Sequence, residues 1–394
     1  MILGKKIAAL YFHIPFCKKI CPFCSFAIVK DRPEKHLLLI ECFKREFEYL
    51  LKKHQYDFSS VQSIYFGGGT PSRLDHELLG EIVAWIDRLV GDQLEWSIEL
   101  NPEDVTLDYA KWLKKTGFTR VSIGVQSFND SCLKVLGRNH KACDSIKAIA
   151  NIQDAGFENI NLDLLYGYPN QSLASYQNDI QEALTWNPSH LSTYCLSIEN
   201  KTAVNRRPLW LNWQKENDEL IFQMYKHTVS MLQQKELFQY EVSNFSLPGY
   251  ESIQNKVVWS NLNYLGFGPG AHSFVEARRW GNLKRFSDYS KQIKKLESPH
   301  EFIENLTVEQ RLDELLLIGL RCKVGINPKD IFREYQIFEP EEWKPLLNRL
   351  EKSGLILWNK DQLLLTTDGL FISDEIALTF SNLLGSCIAS ASKG

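Results

Sequence analysis

Cys17, Cys21 and Cys24 fall within eight residues, separated by three and then two positions. A tight loop can bring three such thiolates to one point. Iron–sulfur clusters are held by Cys thiolates and a four-iron cluster has four corners, so three local cysteines leave one iron without a protein ligand. That open corner is what a Lewis-acid or electron-transfer role requires. A zinc knuckle and plainly buried thiols are the alternatives. Zinc asks for a fourth ligand nearby, and His13, four residues before Cys17 and still in a strand-like run, is the one close imidazole.

Other residue types with chemical capacity fall at strand ends. Gly67-Gly68-Gly69-Thr70-Pro71 gives a loop whose backbone can approach a ligand closely. Glu99, Gln126 and Asp163 sit inside apolar runs, where a buried polar group needs a partner. Arg138 adds a cation and Ser197 a hydroxyl. Taken singly, each is as well explained as a satisfied core polar group; their recurrence at successive strand ends favours a ligand.

The elements that must position these residues repeat. Short β-branched or aromatic runs at 7–15, 61–69, 94–102, 120–127, 159–167 and 190–199 are mostly followed by helical stretches such as 34–53 and 76–89. This alternation is the mark of parallel βαβ construction. Functional groups that end strands belong to the C-terminal rim of a barrel. The expectation is an α/β fold, a partial (β/α)6 TIM-like barrel over residues 1–235. A connecting strand (240–245) and a Gly-rich aromatic loop (260–272) would occupy 236–297. A small α-rich domain with a winged-helix-like hairpin split at 359–362 would fill 298–394.

Composition bounds the rest. A net charge of −3 argues against bulk binding to nucleic acid, and the hairpin strands carry only Lys360 as a cation. No window approaches the roughly 18 uninterrupted apolar residues of a membrane span, and the start of the chain does not read as a signal peptide. A cytoplasmic protein without a membrane segment is expected. Nine cysteines, three clustered and six scattered (Cys42, Cys132, Cys143, Cys195, Cys322, Cys387), argue against a disulfide framework. The scattered six read as small hydrophobes.

The run Cys-x-x-x-Cys-x-aromatic-Cys after a first strand resembles the signature of the radical S-adenosylmethionine (SAM) superfamily. The resemblance implies a 4Fe-4S cluster on Cys17, Cys21 and Cys24, with SAM chelating the fourth iron and cleaved by an electron from the cluster. Within the superfamily, His-Ile-Pro-Phe-Cys, Gly-Gly-Gly-Thr-Pro, Gly-Val-Gln-Ser-Phe, Gly-Arg-Asn-His and Asp-Leu-Leu-Tyr-Gly-Tyr-Pro resemble the oxygen-independent coproporphyrinogen III oxidase-like branch. It implies SAM contacts for Tyr11, Phe23, Gly68, Gly69, Thr70, Glu99, Gln126, Arg138, Asp163 and Ser197.

That branch holds enzymes and carriers. In the dehydrogenases a further Cys follows two residues after the cluster cysteines, and an N-terminal arm precedes them; here the position is Phe26, and Cys17 lies near the start. Cys-Ser-Phe, with Tyr240–Phe245 and Tyr264-Leu265-Gly266, is instead similar to the haem chaperone family of the branch. This implies haem as ligand, a haem-acceptor protein, and an electron donor such as a flavodoxin or ferredoxin. The alternative is oxidative decarboxylation of coproporphyrinogen III. One departure stands out: the family's His-Asn-x-x-Tyr-Trp haem motif reads Gln254-Asn255-Lys256-Val257-Val258-Trp259 here, and Gln cannot ligate haem iron as imidazole does. His272, a short way on in the Gly-rich loop, reads as a loop-packing residue, with a substitute haem ligand as the alternative.

Overall fold

The computed structural model describes residues 4–91, 94–336 and 339–391, with 385–391 as backbone alone, so residues 1–3 and the Cys387 side chain lie outside it. All six expected strands form: β1 (Ala9–Ile14), β2 (Ser63–Gly68), β3 (Glu95–Leu100), β4 (Arg120–Gln126), β5 (Asn159–Tyr166) and β6 (His190–Cys195). They pair in parallel in chain order. Between them run α1 (His36–Lys53), α2 (His76–Asp87), α3 (Leu107–Thr116), α4 (Asp130–Val135), α5 (Ala142–Asp154) and α6 (Leu173–Thr185). β6 and β1 do not pair with each other, so the barrel is partial.

Alternate residues of a strand face opposite sides, and here the two faces differ in chemistry. Leu10, Phe12, Ile64, Phe66, Ile98, Val121, Ile123 and Leu162 are buried in one apolar core with the helices. Phe12 stacks on Phe66 at 5.2 Å and meets Phe43 of α1 edge-on at 5.3 Å. Removing such a ring, as in Phe12→Ala, costs about 3–5 kcal/mol. The intervening positions, Tyr11, Tyr65, Glu99, Ser122, Asp163 and Tyr194, are polar and face the barrel interior. A packed barrel fills this space with branched apolar side chains; a polar interior is built to hold something else.

Beyond β6 the sheet goes further than the sequence suggests. The 240–245 strand is a pair, β7 (Phe238–Gln239) and β8 (Asn244–Ser246), which closes one edge antiparallel to β6. Residues 260–272 are not one loop: β9 (Tyr264–Phe267) pairs in parallel with β1, Phe267 stacking on Phe12 at 4.9 Å. β10 (His272–Val275), β11 (Arg278–Asn282) and β12 (His300–Asn305) then extend the sheet to twelve strands as an antiparallel meander. The sheet therefore crosses residue 298, where the α-rich domain was expected to start. Its glycines hid β9, yet Gly266 admits no side chain, because a Cβ there would lie 2.2 Å from the His272 carbonyl oxygen of the neighbouring strand.

The C-terminal region is helical. A helix over Val308–Leu320, begun by a Thr307 capping box, packs against the helix over Ser373–Ala391. Trp343, fully buried, lies against Phe332 and Phe380. The hairpin forms as expected from β13 (Ile356–Asn359) and β14 (Gln362–Leu365). Among the described residues no helix is long and apolar enough to cross a membrane.

Candidate functional site

At the C-terminal rim the three cysteines and the ends of the strands enclose a cavity of about 400 Å³. Cys17, Cys21, Cys24, Phe23, Gly68, Gly69, Thr70, Glu99, Gln126, Arg138, Asp163 and Ser197 all line it. Tyr11 does not. Its ring stacks on Tyr65 at 6.1 Å and its hydroxyl donates to His13 Nδ1 at 2.9 Å, one layer below. Its link to the cavity runs through Tyr65, which lines it.

His13 is the imidazole that a zinc site would have needed. Both its nitrogens are used: Nε2 donates to the Ala27 carbonyl at 2.9 Å, which leaves Nδ1 to accept from Tyr11. Burial holds its pKa down at about 4, so the ring stays neutral. Among the described residues no three His, Cys, Asp or Glu side chains converge as a single metal ion needs. The irons of a cluster each take their own thiolate and do not need that convergence.

The glycine loop is shaped by what surrounds it. Gly68 has φ +112, and a Cβ there would lie 2.5 Å from the His13 ring; one on Gly69 would lie 2.8 Å from the Pro15 carbonyl carbon. Only glycine lets the loop lie against the cysteine segment this closely. The Gly68 N–H donates to Glu99 Oε2 at 3.0 Å while Tyr65 donates to Oε1 at 2.9 Å. Burial, then the neighbouring Asp163, raises the Glu99 pKa to about 7 despite these two donors. Burial also raises Asp163, which accepts from Ser122 at 3.0 Å and Asn161 at 2.7 Å.

At the cysteines, hydrogen-bond donors point at sulfur. The Thr70 hydroxyl lies 3.5 Å from Cys17 Sγ and Arg138 Nη1 3.5 Å from Cys21 Sγ. Arg138 also donates to Asn101 Oδ1 at 2.7 Å, Asn101 donates to Thr70 at 3.3 Å, and the Arg138 Nε is buried with no partner. Burial pushes the Cys17 thiol up to about 11 and raises Cys24. Loading metal here must therefore release protons.

Asn101, Tyr65, Ser122, Gly124, Tyr194 and Cys195 also line the cavity. Strand alternation carries a signal for Tyr65 and Ser122, since each shares its inward face with a polar residue two positions away. Cys195, read as a small hydrophobe, is an exposed residue on the wall. Gln254 is buried on a helix over Ile253–Trp259 away from the cavity, its Oε1 unpartnered, whereas His272 is exposed at the start of β10.

A parallel six-strand partial barrel carrying three cysteines and a glycine loop at its rim defines a radical SAM protein, and the Radical SAM superfamily matches residues 11–183. Heme chaperone HemW of Bacillus subtilis is 32% identical over 376 residues, covering 93% of this chain and 97% of that protein. The mitochondrial radical S-adenosyl methionine domain-containing protein 1 of Danio rerio is 30% identical over 344 residues, covering 85% and 76%. Coproporphyrinogen III oxidase (HemN) of Escherichia coli, a radical SAM enzyme, superimposes with a TM-score of 0.80 at 21% identity, covering 96% of this chain and 90% of its own, which shows the shared fold. The chain belongs to the heme chaperone HemW family.

Membership of the superfamily implies a 4Fe-4S cluster and SAM. The residues present fit both. Three thiols share one cavity wall with two donors directed at their sulfurs, and a buried Arg138 N–H without a partner faces the same region. Beside them lies a glycine-lined cradle that any side chain would fill.

Proposed function

We propose that this protein is a haem chaperone, which binds haem and passes it to an acceptor protein while carrying a 4Fe-4S cluster and an exchangeable SAM. The cluster would be held by Cys17, Cys21 and Cys24. Phe23, Gly68, Gly69, Thr70, Glu99, Gln126, Arg138, Asp163 and Ser197 would bind SAM. When bound, this pair supplies one-electron chemistry at the rim. The protein's own residues position and tune it. Thr70 directs an O–H and Arg138 an N–H at the thiolates, Glu99 offers a carboxylate beside the glycine loop, and Ile28 and Leu165 form part of the cavity wall.

The observation that carries the carrier reading is Phe26. It lines the cavity as a residue 66% exposed, where the resemblance to the dehydrogenases implies a cysteine. A phenyl ring cannot take part in thiol or hydrogen-atom chemistry, but it gives the cavity wall an exposed apolar surface beside Phe23 and Ile28. An exposed apolar rim suits a flat hydrophobic ligand handed from one protein to another.

Anaerobically reconstituted protein, incubated with coproporphyrinogen III, SAM and a reductant, is expected to form no protoporphyrinogen. Haem-loaded protein mixed with a haem-free haem protein is expected to pass haem on. Decarboxylated product would overturn the assignment in favour of the enzyme.

A further inference from the structure

A second cavity, of about 210 Å³, lies between the end of α1 and the outer strands β11 and β12. It is lined by Tyr49, Leu50, Lys53 and His54 on one side and by Arg278, Trp280, Ser298, His300 and Ile303 on the other, sharing no residue with the rim cavity. α1 begins beside the cysteine loop, where His36 bonds Asp31, and runs about 25 Å to Lys53. The two cavities are thus well separated.

Among the described residues, two buried donors of this cavity have no partner. Trp280 is 3% exposed and its indole N–H is unpaired; the Nε of Arg278 is also buried and unpaired. Leaving a buried donor unpaired is costly, and two in one small cavity are the mark of a missing acceptor. Charge points the same way. Strand alternation places Arg278 and Trp280 on one face of β11 and Arg279 on the other, where Arg279 is paired with Glu314. Among the described residues neither Arg278 nor Lys53 has a carboxylate within ion-pair distance. Arg278 Nη1 instead meets His54 Nε2 at 3.4 Å, and Lys53 donates to the Tyr49 hydroxyl at 2.8 Å.

The acids nearby are engaged or turned away. Glu276 pairs with Lys5 at 2.7 Å, and Glu301 and Glu304 act on His272. Burial, together with Arg278, Lys53 and, around His54, Lys5, lowers the pKa of both lining histidines, His300 to about 4. The geometry points to a binding site for a small oxyanion, a phosphate or carboxylate group, held by Arg278, Lys53 and the Trp280 indole N–H. The volume is below that of pockets for drug-sized ligands, so the group is small or the end of a longer molecule. Phosphate and carboxylate share this recognition chemistry, and the test separates them.

Reconstituted protein is titrated calorimetrically with inorganic phosphate and, separately, with succinate, against sodium chloride at matched ionic strength. One saturable site is expected for at least one probe, with a rise in melting temperature that chloride does not reproduce; the tighter probe fixes the class. Arg278→Gln is expected to weaken binding at least tenfold. Trp280→Phe, which keeps the ring and removes only the N–H, should weaken it several-fold, with the cluster absorption of both variants retained as a check on folding. Lys53→Met, on an exposed side chain, serves if either variant misfolds. Absence of a saturable site for both probes, or affinity unchanged in Arg278→Gln and Lys53→Met, overturns the assignment.

Discussion

Asn255 and Asp163 are the two ends of one directed chain of hydrogen bonds. Asn255 Nδ2 donates to the Tyr240 hydroxyl at 3.1 Å, and Tyr240 donates to His190 Nε2 at 2.8 Å. His190 Nδ1 donates to Asn161 Oδ1 at 2.6 Å, and Asn161 Nδ2 reaches Asp163 at 2.7 Å. Each group has a single role consistent with its neighbours: Asn161 Oδ1 can only accept, so His190 carries its proton on Nδ1. The chain joins the Gln254–Trp259 segment, where the family's haem motif falls, to the floor of the rim cavity. Tyr240→Phe removes one hydroxyl and leaves Asn255 and His190 each short of a partner. SAM affinity, measured by calorimetry on reconstituted protein, is expected to fall several-fold; unchanged affinity would mean that the chain is only structural.

His13 and Gly68 form a second dependence. The His13 ring occupies the space a Gly68 side chain would need and ties the far end of the cysteine loop to β1 through Ala27. His13→Leu removes that tie and the acceptor for Tyr11. Reconstituted iron content and the visible absorption of the cluster are expected to drop well below wild type, with the fold retained. Gly68→Ala is expected to be more damaging, since it combines a 2.5 Å clash with a φ of +112.

Thr70→Val tests the tuning of sulfur. The substitution keeps shape and removes the hydroxyl that lies 3.5 Å from Cys17 Sγ. Hydrogen bonds to cluster sulfurs raise the reduction potential. A potentiometric titration followed by electron paramagnetic resonance is expected to show a more negative midpoint in the variant at unchanged iron content.

Glu46 makes stability depend on pH. It is fully buried and accepts from the Gly268 N–H at 2.9 Å, Asn282 Nδ2 at 2.5 Å and the Tyr289 hydroxyl at 2.6 Å, which joins α1 to the β9–β11 region. Burial outweighs these donors and raises its pKa from 4.5 to about 7. Between those values the folded state binds more protons than the unfolded, so this contribution is fully present below 4.5 and is lost as pH rises through 7. In denaturation from pH 5 to 8, the stability advantage of wild type over Glu46→Gln is expected to shrink by on the order of 1–3 kcal/mol. A constant difference would show that Glu46 does not titrate in this range.

Much of this was legible in the chain. The six parallel strands form where apolar runs alternate with helices, and nine of the ten expected SAM residues line one cavity with the cysteines. Strand ends are visible because Gly67–Thr70 and Glu99 interrupt apolar runs. Tyr11 is the tenth: its place in the strand shows which face it takes but not that its hydroxyl bonds His13. β9 was hidden because Gly266 and Gly268 read as loop residues, when close packing against His272 and His13 is what excludes side chains there. The oxyanion cavity was invisible for a different reason. Lys53 and Arg278 are more than two hundred residues apart, and the missing partners of Arg278 and Trp280 exist only in three dimensions.

The proposed haem-carrier role is tested by a haem titration of the anaerobically reconstituted protein. A saturable shift of the Soret band is expected, with the cluster absorption unchanged. A Soret band that grows linearly with added haem and never saturates would rule that role out.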